Sequence, residues 1–423
     1  MIKIIASVLI VIACCFQVMA GDQKGCPSAV NGGKCKYGRA AFDYFSGEEG
    51  ERAYLRLPRG VAQVKGVLYC HQNMTEEVLF RSRDFLTAMD SLGVAMAFIQ
   101  RGSQNWDTTQ GCQQRFERIM KDFAEGTGHP EIASAPVIPF GHSAQATFPW
   151  NFAAWNPERT LCIISFHGDA PRTNLCGYGR ENIEWGRTRN IDRIPGLMIE
   201  GEYEWWEDRV RPALAFRMMY PESRISFLCD AGRGHFDLSE ETQRYIARFI
   251  AKSMENPRPE GGVYYSRWSS DGTESGDPHD CFWYHDQEMA DRTKAIYASS
   301  RGKKMQYLGA KVNGETVAYD ASRHVKMSTK ASGREFTVEP FFCEEDRVTP
   351  TGVHAGVRPR VVLISGPAVQ TGEYTFLIDE DYFGKDPKRQ WRGITVCLEA
   401  DGDDEYKSAV QEMTIQSLLP DIE

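Results

Sequence analysis

Between residues 52 and 249 the sequence alternates short, nearly continuous apolar runs with amphipathic stretches, and this alternation constrains the fold more than any other feature. The apolar runs lie at 53–57, 66–70, 94–100, 136–140, 160–166, 196–201 and 224–230, and several lack the polar alternation of a half-exposed strand. Such strands are covered on both faces. The stretches 76–92, 112–125, 144–155, 206–219 and 239–255 carry helical periodicity instead. Strand, helix, strand in repetition predicts an α/β fold, a doubly wound and mainly parallel sheet. In such sheets the chemistry gathers in loops at the carboxyl ends of the strands.

The segment 256–262, NPRPEGG, is a cluster of helix and strand breakers and reads as a linker. Beyond it the pattern changes. A helix over about 282–299 precedes a hairpin over 307–318 turning at Asn313-Gly314, and then strands near 335–342, 360–364, 374–379 and 393–398 with no long helix between them. This predicts a C-terminal accessory β-sandwich over 263–423 with one or two helices. A length of 423 residues suits two domains, and 42% hydrophobic with 25% charged residues is a globular composition. The net charge of −9 and the lack of a basic run exclude a protein that grips nucleic acid through its phosphates.

At the N-terminus, Lys3 precedes an apolar stretch over 4–16, too short to span a bilayer and suited to a signal peptide over 1–20 cleaved before Gly21. The competing reading is Val11-Ile12-Ala13-Cys14 as a lipobox, with a lipid anchor on Cys14. Either way the expected location is periplasmic or extracellular. The catalytic unit would then occupy 21–255. No other stretch reaches the roughly 18 apolar residues of a spanning helix. Twelve cysteines, two of them in the leader, permit disulfides without assigning any. Cys26 and Cys35 could close a short surface loop, whereas Cys70, Cys162 and Cys229 fall in strand-like runs and suit buried positions.

The chemistry centres on Gly141-His142-Ser143-Ala144-Gln145, which joins the strand at 136–140 to the helix after it. Strand, tight turn centred on Ser, and helix form the setting of a nucleophile elbow, where the hydroxyl stands above the sheet beside free N–H groups of the helix start. The usual second Gly of the motif is here Gln145, so its side chain must point away from the neighbouring strand. About 60 residues on, the strand ending at Gly201 opens into Glu202-Tyr203-Glu204, and about 30 further the strand at 224–230 leads into Ala231-Gly232-Arg233-Gly234-His235. Nucleophile, acid, then His is the order found in α/β-hydrolases.

On these residues the chain resembles the α/β-hydrolase superfamily over about 52–254, in particular secreted bacterial esterases of the dienelactone-hydrolase-like and carbohydrate-esterase-like kind. The resemblance implies Ser143 as nucleophile, His235 as general base and Glu204 as the acid that orients it, with Glu202, Glu207 and Asp208 as near competitors for that last role. It also implies an oxyanion hole made by the backbone N–H of Ala144 and one from Gln72 or Asn73. His71 stands where relatives have the His of an HG motif.

Four residues are candidates for substrate contact: His71, Arg101, His167 and Trp205, with Gln104 beside the second. Trp106, Trp150, Trp185, Trp205 and Trp206 suit either sugar stacking or core packing. His142 is expected to pack. No His pair shows metal-ligand spacing, and the acidic turns at 379–381 and 401–405 fit no EF-hand loop, so no metal and no cofactor is called for. The expected activity is cleavage of carboxylic esters, with polysaccharide esters as a substrate class. A serine peptidase is the alternative with the same chemistry; a glycan- or protein-binding protein on a hydrolase scaffold is the alternative without it.

Overall fold

In a computed structural model of the chain, the described residues are 42–47, 52–80, 82–100, 102, 106–173, 185, 191–202, 204, 206–235, 238–265, 282–319, 326–331, 334–352, 357–366, 368–378 and 393–417. The leader with Cys14, the Cys26 and Cys35 pair, Arg101, Gln104, Trp205 and the acidic turn at 379–381 lie outside them. Among the described residues no helix is long and apolar enough to cross a membrane.

Eight strands form the central sheet: β1 (Tyr44–Ser46), β2 (Ala53–Arg56), β3 (Gly66–His71), β4 (Val94–Ile99), β5 (Val137–His142), β6 (Ile163–Phe166), β7 (Pro195–Gly201) and β8 (Arg224–Asp230). Their order is β1-β2-β4-β3-β5-β6-β7-β8. The strands from β3 to β8 run parallel, and β2 is antiparallel to β4. Every described residue of β3 to β8 is buried, which is why these strands read as apolar runs without alternation.

The helices are α1 (Met74–Leu79), α2 (Arg83–Leu92), α3 (Cys112–Thr127), α4 (Phe148–Trp155), α5 (Trp206–Met219) and α6 (Glu240–Glu255). Two expectations need correction. The stretch 76–92 is two helices, because Ser82 leaves the helical path and caps α2, its hydroxyl accepting from Phe85 N–H at 3.3 Å. Likewise 144–155 is a 3-10 turn at Ser143–Gln145 followed by α4, which restarts where Pro149, lacking an N–H, fits the first turn.

Segment 256–262 is tied down: Arg258 donates to the carbonyls of Pro157 and Thr160 at 2.6 and 3.0 Å, and Arg224 to that of Glu260 at 2.9 Å. The chain continues into the hairpin β9 (Val263–Tyr265) and β10 (Phe282–Tyr284) and helix α7 (Gln287–Ser300). Tyr265, Phe282, Tyr284, Met289 and Ile296 share one apolar core with β7 and β8. The described residues at 263–265 and 282–300 therefore pack with the first body.

The remainder is a sandwich. One sheet has the order β12-β11-β14-β17-β16, from β11 (Tyr307–Val312), β12 (Glu315–Thr316), β14 (Glu335–Cys343), β16 (Ala368–Gln370) and β17 (Thr375–Ile378). The other has the order β13-β19-β18-β15, from β13 (Lys326–Ala331), β15 (Arg360–Ser365), β18 (Gly393–Ala400) and β19 (Ala409–Ser417). Leu308, Phe336, Val338 and Phe376 of the first face Met327, Ile394, Val396 and Met413 of the second in a separate core. At the β11–β12 turn, Asn313 and Gly314 have φ of +50° and +84°, as a two-residue hairpin with both central residues left-handed requires.

Candidate active site

Ser143 follows the last residue of β5 and has φ of +52°, a left-handed conformation that a non-glycine residue rarely holds. The turn allows nothing larger than glycine at 141, where a Cβ would lie 2.0 Å from the carbonyl oxygen of Gln145. Gln145 is buried, and its Oε1 lies 3.1 Å from Nδ1 of His71, directed toward the end of β3. The turn thus accommodates the long side chain by joining it to the neighbouring loop.

His235 Nε2 lies 2.7 Å from Ser143 Oγ, and His235 Nδ1 lies 2.6 Å from Glu204 Oε1. The structure brings these three expected residues together across 92 and 31 positions of sequence. Glu202 faces elsewhere and is bonded to Gly232 N–H at 2.7 Å. Asp208 is exposed on α5, and the side chain of Glu207 is outside the described set.

Glu204 is 3% exposed. Burial alone would raise its carboxyl, but His167 at 3.4 Å, the hydrogen bond from His235 and another from Glu200 hold it well below the usual carboxylate range. Glu200, one residue before the end of β7, moves oppositely: burial and the charge of Glu204 push it up. The opposite directions favour the proton on Glu200, which makes it the group able to donate toward Glu204. Arg209 Nη1 is 3.5 Å from its other side.

Two further imidazoles converge on this group. His142 Nε2 lies 2.8 Å, and His167 Nδ1 2.7 Å, from the main-chain carbonyl oxygen of His235. Burial first, and then the charges of His235 and His167, keep His142 well below the ordinary histidine value, so it donates as a neutral ring. One ring nitrogen from each of His142, His167 and His235 lies within 4.8 Å of the other two. Hydrogen bonding accounts for that cluster, because two of the rings share a carbonyl acceptor and the third is engaged by Ser143 and Glu204.

His167 therefore departs from its expected place as a substrate contact. It is fully buried, with φ of +47°, and its ring stacks on Phe166 at 3.9 Å. His71 departs likewise: its ring is buried, stacked on Phe148 at 4.0 Å and bonded to Gln145. Trp106, Trp150 and Trp185 are packed inside, the last two with their N–H groups on the Asp169 carbonyl and on Asn151 Oδ1. Large aromatic surface was better buried than displayed.

Ala144 N–H opens the 3-10 turn at the end where helical N–H groups lack internal acceptors. Of the two expected partners for it, Gln72 is a poor one, since its N–H already donates to the carbonyl of Ile99 at 2.8 Å. Asn73, the N-cap of α1, remains. Its side chain serves the same turn, donating to the carbonyl of His142 at 2.7 Å, while Glu76 Oε1 accepts the N–H of His142 at 2.8 Å. Both main-chain groups of the residue before Ser143 are thus held by α1. Glu76 is fully buried, and burial pushes its carboxyl well above the usual range.

Sequence reasoning missed Glu76, Glu200 and the part His142 and His167 play. An acidic residue near the end of an otherwise apolar strand, as Glu200 is, was the available signal. The acidic turn at 401–405 is closed internally, Asp403 Oδ1 accepting from the N–H groups of Glu405 and Tyr406 and Lys304 pairing with Glu405. Cys70, Cys162 and Cys229 are buried free thiols.

No protein-family model matches the chain, and no curated protein does. Similar solved structures include LpqC, a poly(3-hydroxybutyrate) depolymerase from Bordetella parapertussis, at 12% identity over 47% of this chain and 82% of that one with a TM-score of 0.35. Est1E from Butyrivibrio proteoclasticus has 14% identity over 51% of this chain and 99% of its own, TM-score 0.36. A dienelactone hydrolase from Anabaena variabilis has 17% identity over 48% and 90%, TM-score 0.29. At such scores these likenesses carry no weight beside the chain's own topology. With its sheet order, its reversed β2 and a left-handed serine between β5 and the following helix, the chain has the α/β-hydrolase fold.

Proposed function

We propose that this chain is a serine hydrolase of carboxylic esters. The observation that carries the reading is the continuous hydrogen-bond path from Ser143 Oγ through both ring nitrogens of His235 to Glu204, at 2.7 and 2.6 Å. Ser143 Oγ attacks the ester carbonyl carbon as its proton passes to His235 Nε2. Glu204 keeps the proton on Nδ1 and stabilises the imidazolium. The N–H groups of Ala144 and Asn73 receive the oxyanion, and the proton on Nε2 goes to the departing alkoxide. A water deprotonated by His235 then releases the acid and restores Ser143.

Esters carried on polysaccharide are the proposed substrate class, and the periplasm or cell exterior the proposed place, with a plain cleaved leader or a lipid on Cys14. This part of the reading is supported by the leader-like N-terminus and the appended sandwich. Buried Trp106, Trp150 and Trp185 lend it nothing.

The test is labelling by a fluorophosphonate together with release of p-nitrophenol from a short acyl ester. Both are expected in wild type, and Ser143→Ala should abolish the first and reduce the second by roughly 10,000-fold or more. Equal behaviour of the two proteins would overturn the reading. Cleavage of unblocked peptides would move it to a peptidase, and glycan binding without turnover to a binding protein.

A further inference from the structure

The loops that carry Glu204 and His235 are both held by the C-terminal sandwich. Glu202, two residues before Glu204, donates its N–H to the carbonyl of Asp230 at 3.0 Å and accepts the N–H of Gly232 on Oε2 at 2.7 Å. Its other oxygen, Oε1, lies 2.6 Å from Nζ of Lys407, just before β19. The pair is largely enclosed, with side-chain exposures of 18% for Lys407 and 25% for Glu202. A carboxylate there needs its cation, since removing one partner leaves a charge with too little solvent.

The His loop rests on the same segment. Gly232 has φ of +73°, and a Cβ on it would lie 2.1 Å from Oγ and 3.0 Å from the carbonyl oxygen of Ser408. A Cβ on Gly234 would be 3.4 Å from Cγ2 of Val410. Close approach to Ser408, together with its positive φ, therefore accounts for the glycine at 232, and at 234 the His loop lies in ordinary contact distance of Val410. Lys407 is itself fixed through its backbone, its N–H bonded to the carbonyl of Lys304 at 2.8 Å and its carbonyl to Nε2 of Gln306 at 2.7 Å.

We propose that Lys407 is a positioning residue for the active site: through Glu202 and Gly232 it sets the spacing of the acid loop against the His loop, making the sandwich a working part of the hydrolase. The sandwich then acts on catalysis without touching substrate. A displacement of the His235 ring by about 1 Å would be enough to cost on the order of 100-fold in rate. Binding of a small ester need not change. This inference rests on the proposed function, and its readouts are chosen so that the two can fail separately.

The experiment uses the full chain with Lys407→Met, which keeps the aliphatic stem, Lys407→Arg, Glu202→Gln and the double variant Glu202→Gln/Lys407→Met. On a p-nitrophenyl ester, Lys407→Met is expected to lower kcat by roughly 10- to 100-fold with KM nearly unchanged. Lys407→Arg should recover most of the loss, and the double variant should be no worse than the poorer single one. Independently of turnover, the downfield proton resonance of the His235 Nδ1–H to Glu204 hydrogen bond should be sharp in wild type and Lys407→Arg and broadened in Lys407→Met. Wild-type kcat and a sharp resonance in folded Lys407→Met would overturn the proposal, as would additive losses in the double variant. If Lys407→Met does not fold, Glu202→Gln with a sharp resonance and unchanged kcat does the same. A wild type that shows the resonance but takes no fluorophosphonate would count against the esterase reading alone.

Discussion

Nε2 of His142 lies 2.8 Å from the main-chain carbonyl oxygen of His235, so the residue before the serine grips the backbone of the residue that would activate it. The contact joins the end of β5 to the loop after β8 with no side-chain freedom between them, since His142 is fully buried. Replacing the ring by one of similar size tests it. His142→Phe should lower stability by about 0.5 to 1.5 kcal/mol, the net worth of one hydrogen bond to a carbonyl that keeps His167 as its second donor, and lower kcat more than KM. The variant should also change the acid response. His142 is held below its ordinary value by burial, so the unfolded chain takes up a proton below about pH 6.5 that the folded chain refuses. Wild type accordingly loses stability as pH falls from 6.5 to 5, by up to about 1.4 kcal/mol per pH unit for this group. Urea titrations across that range should show a shallower slope in His142→Phe, the residual slope including His285, which burial lowers to about 4. An identical slope would mean that His142 is protonated in the folded state.

Glu200 offers a test by isostere. If its neutral carboxyl donates to Glu204, Glu200→Gln keeps the donor and should hold kcat/KM within a few-fold, whereas Glu200→Ala should lower it at least 10-fold. The stability sign follows from its raised value. Above the ordinary carboxylate range the unfolded chain ionises while the folded one does not, so rising pH costs wild type stability until the folded value is passed. Glu200→Gln should therefore gain stability over wild type at pH 8 and not at pH 4. Loss of stability at pH 8 would instead indicate an ionised Glu200 paired with Arg209.

The brace under Ser143 can be broken in two degrees. Asn73→Ala removes the donor to the His142 carbonyl, and Asn73→Asp places an acceptor against it. Both keep the backbone N–H assigned to the oxyanion. Asn73→Asp should be the slower enzyme at neutral pH and recover toward Asn73→Ala as the assay pH is lowered and the new carboxyl is protonated. Stopped-flow acylation would measure this, and equal rates at every pH would exclude the brace.

Gly141→Ala should be among the most damaging single substitutions in the fold, since its Cβ would meet the backbone carbonyl of Gln145 at 2.0 Å. Forcing the turn open should cost about 1 to 3 kcal/mol or more, and fluorophosphonate labelling should fall with it. Gly128→Ala provides the control: its φ of +73° adds strain, but no atom lies within 4 Å of the added carbon.

Seven of the eight strands of the main sheet were legible because they are buried on both faces and written mostly in apolar residues, whereas β1, three residues long with Tyr44 half-buried, was not. Ser143, Glu204 and His235 were legible because the fold spaces them at strand ends in a fixed order. Less visible was whatever depends on which way a side chain turns. His71 and His167 look alike as loop histidines, yet both turn inward onto Phe148 and Phe166. Residues 263–265 and 282–300 were read with the C-terminal part because Pro257 and Pro259 mark a turn, yet their described apolar side chains join the first core, and only packing tells whether a turn separates two cores or closes one. β19, which places Lys407, was not read as a strand at all, since its alternation is broken by apolar Val410 on the outer face and polar Gln411 on the inner one.

The contact of Gly232 with Ser408 bears on how such a chain can have been assembled. Appendages that merely hang from an enzyme can be swapped by recombination, each fragment arriving with its own stability and its own task. Here a cut between Ser300 and Tyr307 would strip the histidine loop of the backbone it leans on, so the first half cannot be lifted out as a module with that support intact.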